Sequence, residues 1–151
     1  MIRARLTEAL PDAMKAKQPR AVSTLRLILA ALKDRDIAAR GKGNTDGISD
    51  DDILALLQTM VRQRRDSIEL YEQGGRLDLA EGEREEVAVI QRFLPRPMDE
   101  MAMQQAIDSV IADLDAKGLK DMGRTMAELR TRYAGRMNFA KASSVVKAAL
   151  A

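Results

Sequence analysis

An all-α fold is predicted, on three observations. The chain has 151 residues but only two Phe, two Tyr and no Trp. Its core must therefore be built from Leu, Ile, Val, Ala and Met, most of which favour helices. Apolar residues recur at three- and four-residue spacing nearly throughout, and no stretch of useful length alternates as a strand would. Gly, Pro and the short polar residues fall where those runs begin and end. A chain of this length forms one domain or two small ones, and can bury about two-thirds of its unfolded surface.

Residues 2–17 carry Ile2, Leu6, Ala9, Leu10, Ala13 and Met14 at helical spacing. Pro11 interrupts them, and its missing N–H and ring clash predict a kink or break there. Pro19 suits the first turn of a second helix, about 19–40. That helix is apolar almost all round from Leu25 to Leu32, Arg26 excepted, so it is expected to be the most buried. Arg26 must then either meet a carboxylate from the third or fourth helix or extend to the edge. Gly41 to Gly47 reads as a loop. Ser49 followed by Asp50, Asp51 and Asp52 has the form of an N-cap with acids in the first turn, which the helix dipole favours without any metal. The third helix, about 50–73, presents Ile53, Leu57, Met60, Val61, Ile68 and Tyr71, and stops at Gly74 and Gly75. A fourth, about 76–94, presents Leu77, Ala80, Val87, Ile90 and Leu94, with Glu81, Glu83, Glu85 and Glu86 on a solvated face.

Pro95 and Pro97 cannot both lie within a helix, which sets a boundary between domains 1–94 and 95–151. Beyond it, Asp99 caps a fifth helix (100–116) bearing Met103, Ile107, Val110, Ile111 and Leu114. A sixth (about 121–133) bears Met122, Met126, Leu129 and Tyr133. After Gly135, Asn138 caps a seventh with Phe139, Ala142, Val145, Val146, Ala149 and Leu150. Six methionines lie between 98 and 137, as core filler or as an adaptable surface.

The chain holds no His and no Cys. The usual general base near neutral pH, the thiol nucleophile and Cys-ligated zinc are thereby absent. No glycine loop precedes a Lys in the manner of a nucleotide-phosphate site. Lys141 with Ser143 and Ser144 contains the members of a Ser-Lys pair but no surrounding signature. No catalytic residue, metal ligand or cofactor is assigned. The longest apolar run is far short of a membrane span, and Glu8 and Asp12 lie where a secretory leader would be apolar, so the chain reads as cytoplasmic with no membrane partner.

The net charge of +2 conceals segregation. Residues 1–42 carry ten Lys or Arg and four acids, 43–94 six and twelve, 95–115 one and five, and 116–151 eight and two. The basic tail points to an anionic partner. Its candidate nucleic-acid-binding residues are Lys120, Arg124, Arg132, Arg136 and Lys141, with the start of the seventh helix offering backbone N–H groups to a phosphate. Scarce aromatic residues favour backbone or shape recognition over stacking on single strands. Arg62, Arg64 and Arg65 are expected to pair with Asp66 and Glu69 on their own helix.

Several blocks together resemble the YqeY-like proteins. They are Ser-Thr-Leu-Arg-Leu-Ile-Leu-Ala-Ala-Leu-Lys-Asp (23–34), Arg-Gln-Arg-Arg-Asp-Ser-Ile-Glu (62–69), Gly-Arg-Leu-Asp-Leu-Ala-Glu (75–81), Phe-Leu-Pro (93–95), Lys-Asp-Met-Gly-Arg-Thr-Met (120–126) and Gly-Arg-Met-Asn (135–138). The resemblance implies an N-terminal helical bundle and a small C-terminal three-helix domain. The latter is similar to the tail domain of the B subunit of the glutamine-dependent aminoacyl-tRNA amidotransferase, which helps to hold tRNA while other domains perform the amidation. Through it the family carries a label of carbon–nitrogen ligase activity with glutamine as amido-N-donor. The absence of His and Cys argues against taking that label literally, so together with the resemblance it points to a non-catalytic, tRNA-associated binding protein. The alternative it leaves is a protein–protein adaptor for an aminoacyl-tRNA synthetase or amidotransferase.

Overall fold

The computed structural model describes all 151 residues and is helical, with no strand. It divides into two compact units, Met1–Pro95 and Arg96–Ala151. The first contains α1 (Ile2–Lys15), α2 (Pro19–Gly41), α3 (Asp50–Gln73) and α4 (Leu77–Gln91). The second contains α5 (Glu100–Leu114), a 3-10 turn at Leu119–Asp121, α6 (Met122–Arg132) and α7 (Phe139–Leu150).

In the first unit α3 and α4 form the most extensive helix pair, while α2 packs on α1 and α4. Their shared core is aliphatic: Leu6, Leu25, Ile28, Ile53, Leu57 and Ile90 are almost wholly buried. Each such side chain contributes about 1.5–3 kcal/mol of burial relative to exposure. α1 continues through Pro11, so the expected break is absent. Pro11 faces solvent, while Leu6 and Ala13 on either side of it are buried, and their burial holds the segment together across the missing hydrogen bond.

α2 is not buried all round. Leu27 is 50% and Ile37 55% exposed, because the neighbouring helices cover only the side bearing Ala21, Leu25, Ile28 and Leu32. Arg26 accordingly lies in solvent and meets no carboxylate. Leu77, expected in the core, is 64% exposed at the first residue of α4.

The charged residues of this unit connect distant segments. Arg3 donates twice to the Asp36 carboxylate (2.6 and 3.0 Å) and once to the carbonyl of Ile48 (3.1 Å), and Asp36 accepts the Ile48 N–H (2.9 Å). These contacts hold the Asp36 carboxyl below its ordinary value, Arg3 most strongly. Arg64 pairs with Glu86 on α4 at 3.3 Å rather than with Asp66 or Glu69. The glutamates are therefore not all solvated: the Arg64 and Glu86 side chains are only 14% and 15% exposed. Glu83 beside them is pushed up, first by desolvation and then by the charge of Glu86.

In the second unit Met103, Ile107, Val110, Met126, Leu129, Met137 and Val146 form the core. Most of the clustered methionines are thus filler, while Met101 remains exposed. Asp99 caps α5 by accepting the Ala102 N–H at 2.7 Å, as Ser49 caps α3 through Asp52 at 3.1 Å.

Candidate nucleic-acid interface

The basic tail is built on α6, the turn Tyr133–Asn138, and α7. Leu129, Met126 and Thr125 anchor the inner side of α6, leaving Arg124, Arg130 and Arg132 outside. Gly135 adopts φ +78°, a conformation that favours glycine. It lets the chain reverse so that Met137 enters the core, while the adjacent Arg136 stays exposed and its carbonyl accepts the Met98 N–H at 3.0 Å.

The five residues singled out from sequence fall into two groups. Arg124 is held by Asp121 (3.0 Å), and Arg132 by Asp113 and Glu128 (2.8 Å each). Asp121 also accepts the Lys117 backbone N–H, and that bond with the Arg124 contact lowers its pKa. The two carboxylates raise the pKa of Arg132, Asp113 most strongly. Lys120, Arg136 and Lys141 are exposed and have no carboxylate within 4.0 Å. Lys120 lies on the 3-10 turn, Arg136 just before the α7 cap, and Lys141 in the first turn of α7.

The N-terminus of α7 is less open than its sequence suggests. The Asn138 side chain already accepts the Ala140 and Lys141 N–H groups (3.1 and 3.2 Å). A phosphate there would meet side-chain cations more readily than backbone donors. Arg130 lies over the Phe139 ring, 5.8 Å from its centroid. That contact joins α6 to α7 across nine residues, a separation at which sequence spacing gives no signal.

No set of three carboxylates converges as a metal site. Asp50, within the acidic run, faces the amino group of Met1 at 3.4 Å.

The family model of the Yqey-like protein matches residues 3–150. The chain belongs to the YqeY-like family. A relative in Schizosaccharomyces pombe, an uncharacterized protein, is 31% identical over 94 residues, covering 62% of this chain and 72% of that one. "Altered inheritance of mitochondria protein 41, mitochondrial" of Lachancea thermotolerans is 32% identical over 111 residues, 74% of this chain and 56% of its own length. The Saccharomyces cerevisiae protein of that name (strain YJM789) is 31% identical over 118 residues, 78% and 58% respectively. The chain thus spans little more than half the length of these mitochondrial relatives.

These names correct the expectation of a cytoplasmic location. That expectation rested on the absence of a long apolar segment. Such a test detects secretory leaders and membrane spans, whereas mitochondrial leaders are amphipathic and Arg-rich and escape it.

Proposed function

We propose that this YqeY-like protein is a non-catalytic tRNA-binding protein that grips the phosphate backbone with the free cations of its C-terminal unit. The observation that carries the reading is the division within the tail. Arg124 and Arg132 are occupied by carboxylates, and Lys120, Arg136 and Lys141 remain available. Unpaired surface cations are what counterion release requires, and they bind without reading base sequence. The resemblance to the amidotransferase tail domain supplies the choice of tRNA as the polyanion.

The test is a titration of tRNA at several salt concentrations with the wild type and with Lys120→Glu/Arg136→Glu/Lys141→Glu. Wild-type binding should weaken steeply with salt, and the variant should bind at least about tenfold more weakly with a shallower salt slope. Equal affinity of the two proteins, or binding indifferent to salt, rejects the reading.

A second reading, an adaptor docking on a synthetase or amidotransferase, draws on the exposed Met101 and Leu119 of the same unit. It requires a protein partner retained after nuclease treatment and lost in Met101→Glu/Leu119→Glu.

A further inference from the structure

We propose that the outward face of α2 is a second RNA-binding surface, carried by the N-terminal unit. Arg26, Lys33 and Arg40 are spaced seven residues apart on this helix. Seven residues make almost two full turns, so the three lie nearly in line, about 10.5 Å apart, over a stripe of about 21 Å. All three are exposed, and none has a carboxylate within 4.0 Å.

What sets these three apart is their alignment: Arg26, Lys33 and Arg40 stand in one row, whereas the unit's other cations without a carboxylate partner are spread over several elements. Arg3, Arg20, Arg64, Arg76 and Arg84 all have carboxylate partners. Residues 1–94 contain as many acids as bases, sixteen of each. The stripe therefore goes unpaired although the unit has no shortage of acids. Asp36, whose charge reaches Arg40, is already held by Arg3 and the Ile48 N–H.

The Arg26 end of the stripe opens into a cleft of about 610 Å³, lined by Met14, Lys17, Pro19, Val22 and Arg26 among others. Lys17 also lacks a carboxylate partner and adopts φ +55°, in the left-handed region. The depression is shallow, and its lining joins the apolar Met14, Pro19 and Val22 to the cations Lys17 and Arg26, so a base laid against it would have cations nearby for the adjoining phosphates.

A membrane surface fits this face less well. Interfacial helices bury a continuous apolar face. Here Leu27 and Ile37 are separated by a full turn or more, and the acidic Asp34 lies between them. A polyphosphate needs only cations at intervals along its length.

The choice of RNA rests on the tRNA reading above; the stripe itself does not. The test compares the full chain, Arg26→Gln/Lys33→Gln/Arg40→Gln and the tail triple variant in tRNA titrations across salt. Gln preserves the helix, and matched circular dichroism melting checks that each variant folds. The stripe variant should bind about tenfold or more weakly, with the slope of log affinity against log salt smaller by about two. Weakening of both variants supports both surfaces. Weakening of the stripe variant alone supports the stripe and rejects the tail reading. Weakening of the tail variant alone overturns the stripe, and no change in either overturns both. Vesicles containing phosphatidylglycerol supply the remaining arm. If they bind the wild type and not the stripe variant while tRNA affinity is unmoved, the face is a membrane surface and the proposal is wrong.

Discussion

Arg3, Arg20, Arg64 and Arg84 of the N-terminal unit reach carboxylates on other segments, whereas Arg124 and Arg132 of the C-terminal unit find theirs mostly within one helical turn. Arg3 meets Asp36, and Arg64 meets Glu86. Arg124 meets Asp121 three residues away and Arg132 meets Glu128 four away, with Asp113 the one distant partner. The cores differ in parallel, aliphatic in one and methionine-rich in the other. Charge pairs in the first unit fix tertiary contacts; in the second they steady a small scaffold. A unit of this kind can change its surface charge with little effect on its fold. The first cannot do so at Arg3 or Arg64.

Core truncation in the smaller unit should break this comparison most severely. Leu129→Ala removes a fully buried side chain and should cost about 2–5 kcal/mol. For a 56-residue unit (96–151) that is comparable with its whole stability. Hydrogen exchange should show α5–α7 losing protection while α1–α4 retain it. Loss in both would mean the units unfold as one.

A smaller effect is expected at the Arg64–Glu86 pair. Glu86→Ala leaves Arg64 partly buried without its partner, although nearby Glu83 offers some compensation. The cost should be about 1–2 kcal/mol by urea denaturation. By contrast, Glu128→Ala, which removes an exposed local contact, should cost under about 0.5 kcal/mol. Equal costs would erase the distinction between the two units.

The smallest and most diagnostic effect is its pH dependence. Asp36 has a lowered pKa in the folded chain, so it stabilises the fold above its unfolded value, near 3.9. That contribution disappears as pH falls through the lower folded value. The stability gap between wild type and Asp36→Asn should be full at pH 7 and shrink below about pH 4. A gap independent of pH would show that the contact acts through shape and not charge.

Local features were legible in the sequence. The caps Ser49, Asp99 and Asn138 carry their chemistry in residue type and position, and each makes the bond that its type implies. Positions such as Leu57, Ile107 and Leu129 follow from periodicity. What escaped depends on residues far apart. The run Leu25–Leu32 says that α2 is apolar but not which side its neighbours cover, hence Leu27 in solvent. Arg64 has acidic residues two and five positions away and selects Glu86, twenty-two away, because α3 and α4 pack together. In the tail the cations could be read directly, but their division into occupied and free could not. It depends in part on Asp113 of α5 facing Arg132 of α6.

The clamp of Arg3 and Asp36 on Ile48 gives the α2–α3 connection a permissive half and a restricted one. Both Gly43 and Gly47 have positive φ (+91° and +89°), which favours glycine at each. But a Cβ on Gly43 would meet nothing within 4 Å, whereas one on Gly47 would lie 2.8 Å from the Arg3 guanidinium and 2.9 Å from the Asp36 carboxylate. Insertions, affinity tags or new chain termini should therefore be accommodated at Gly43 and its neighbours. At Gly47 even one methyl group would push against the attachment of α1 to the end of α2.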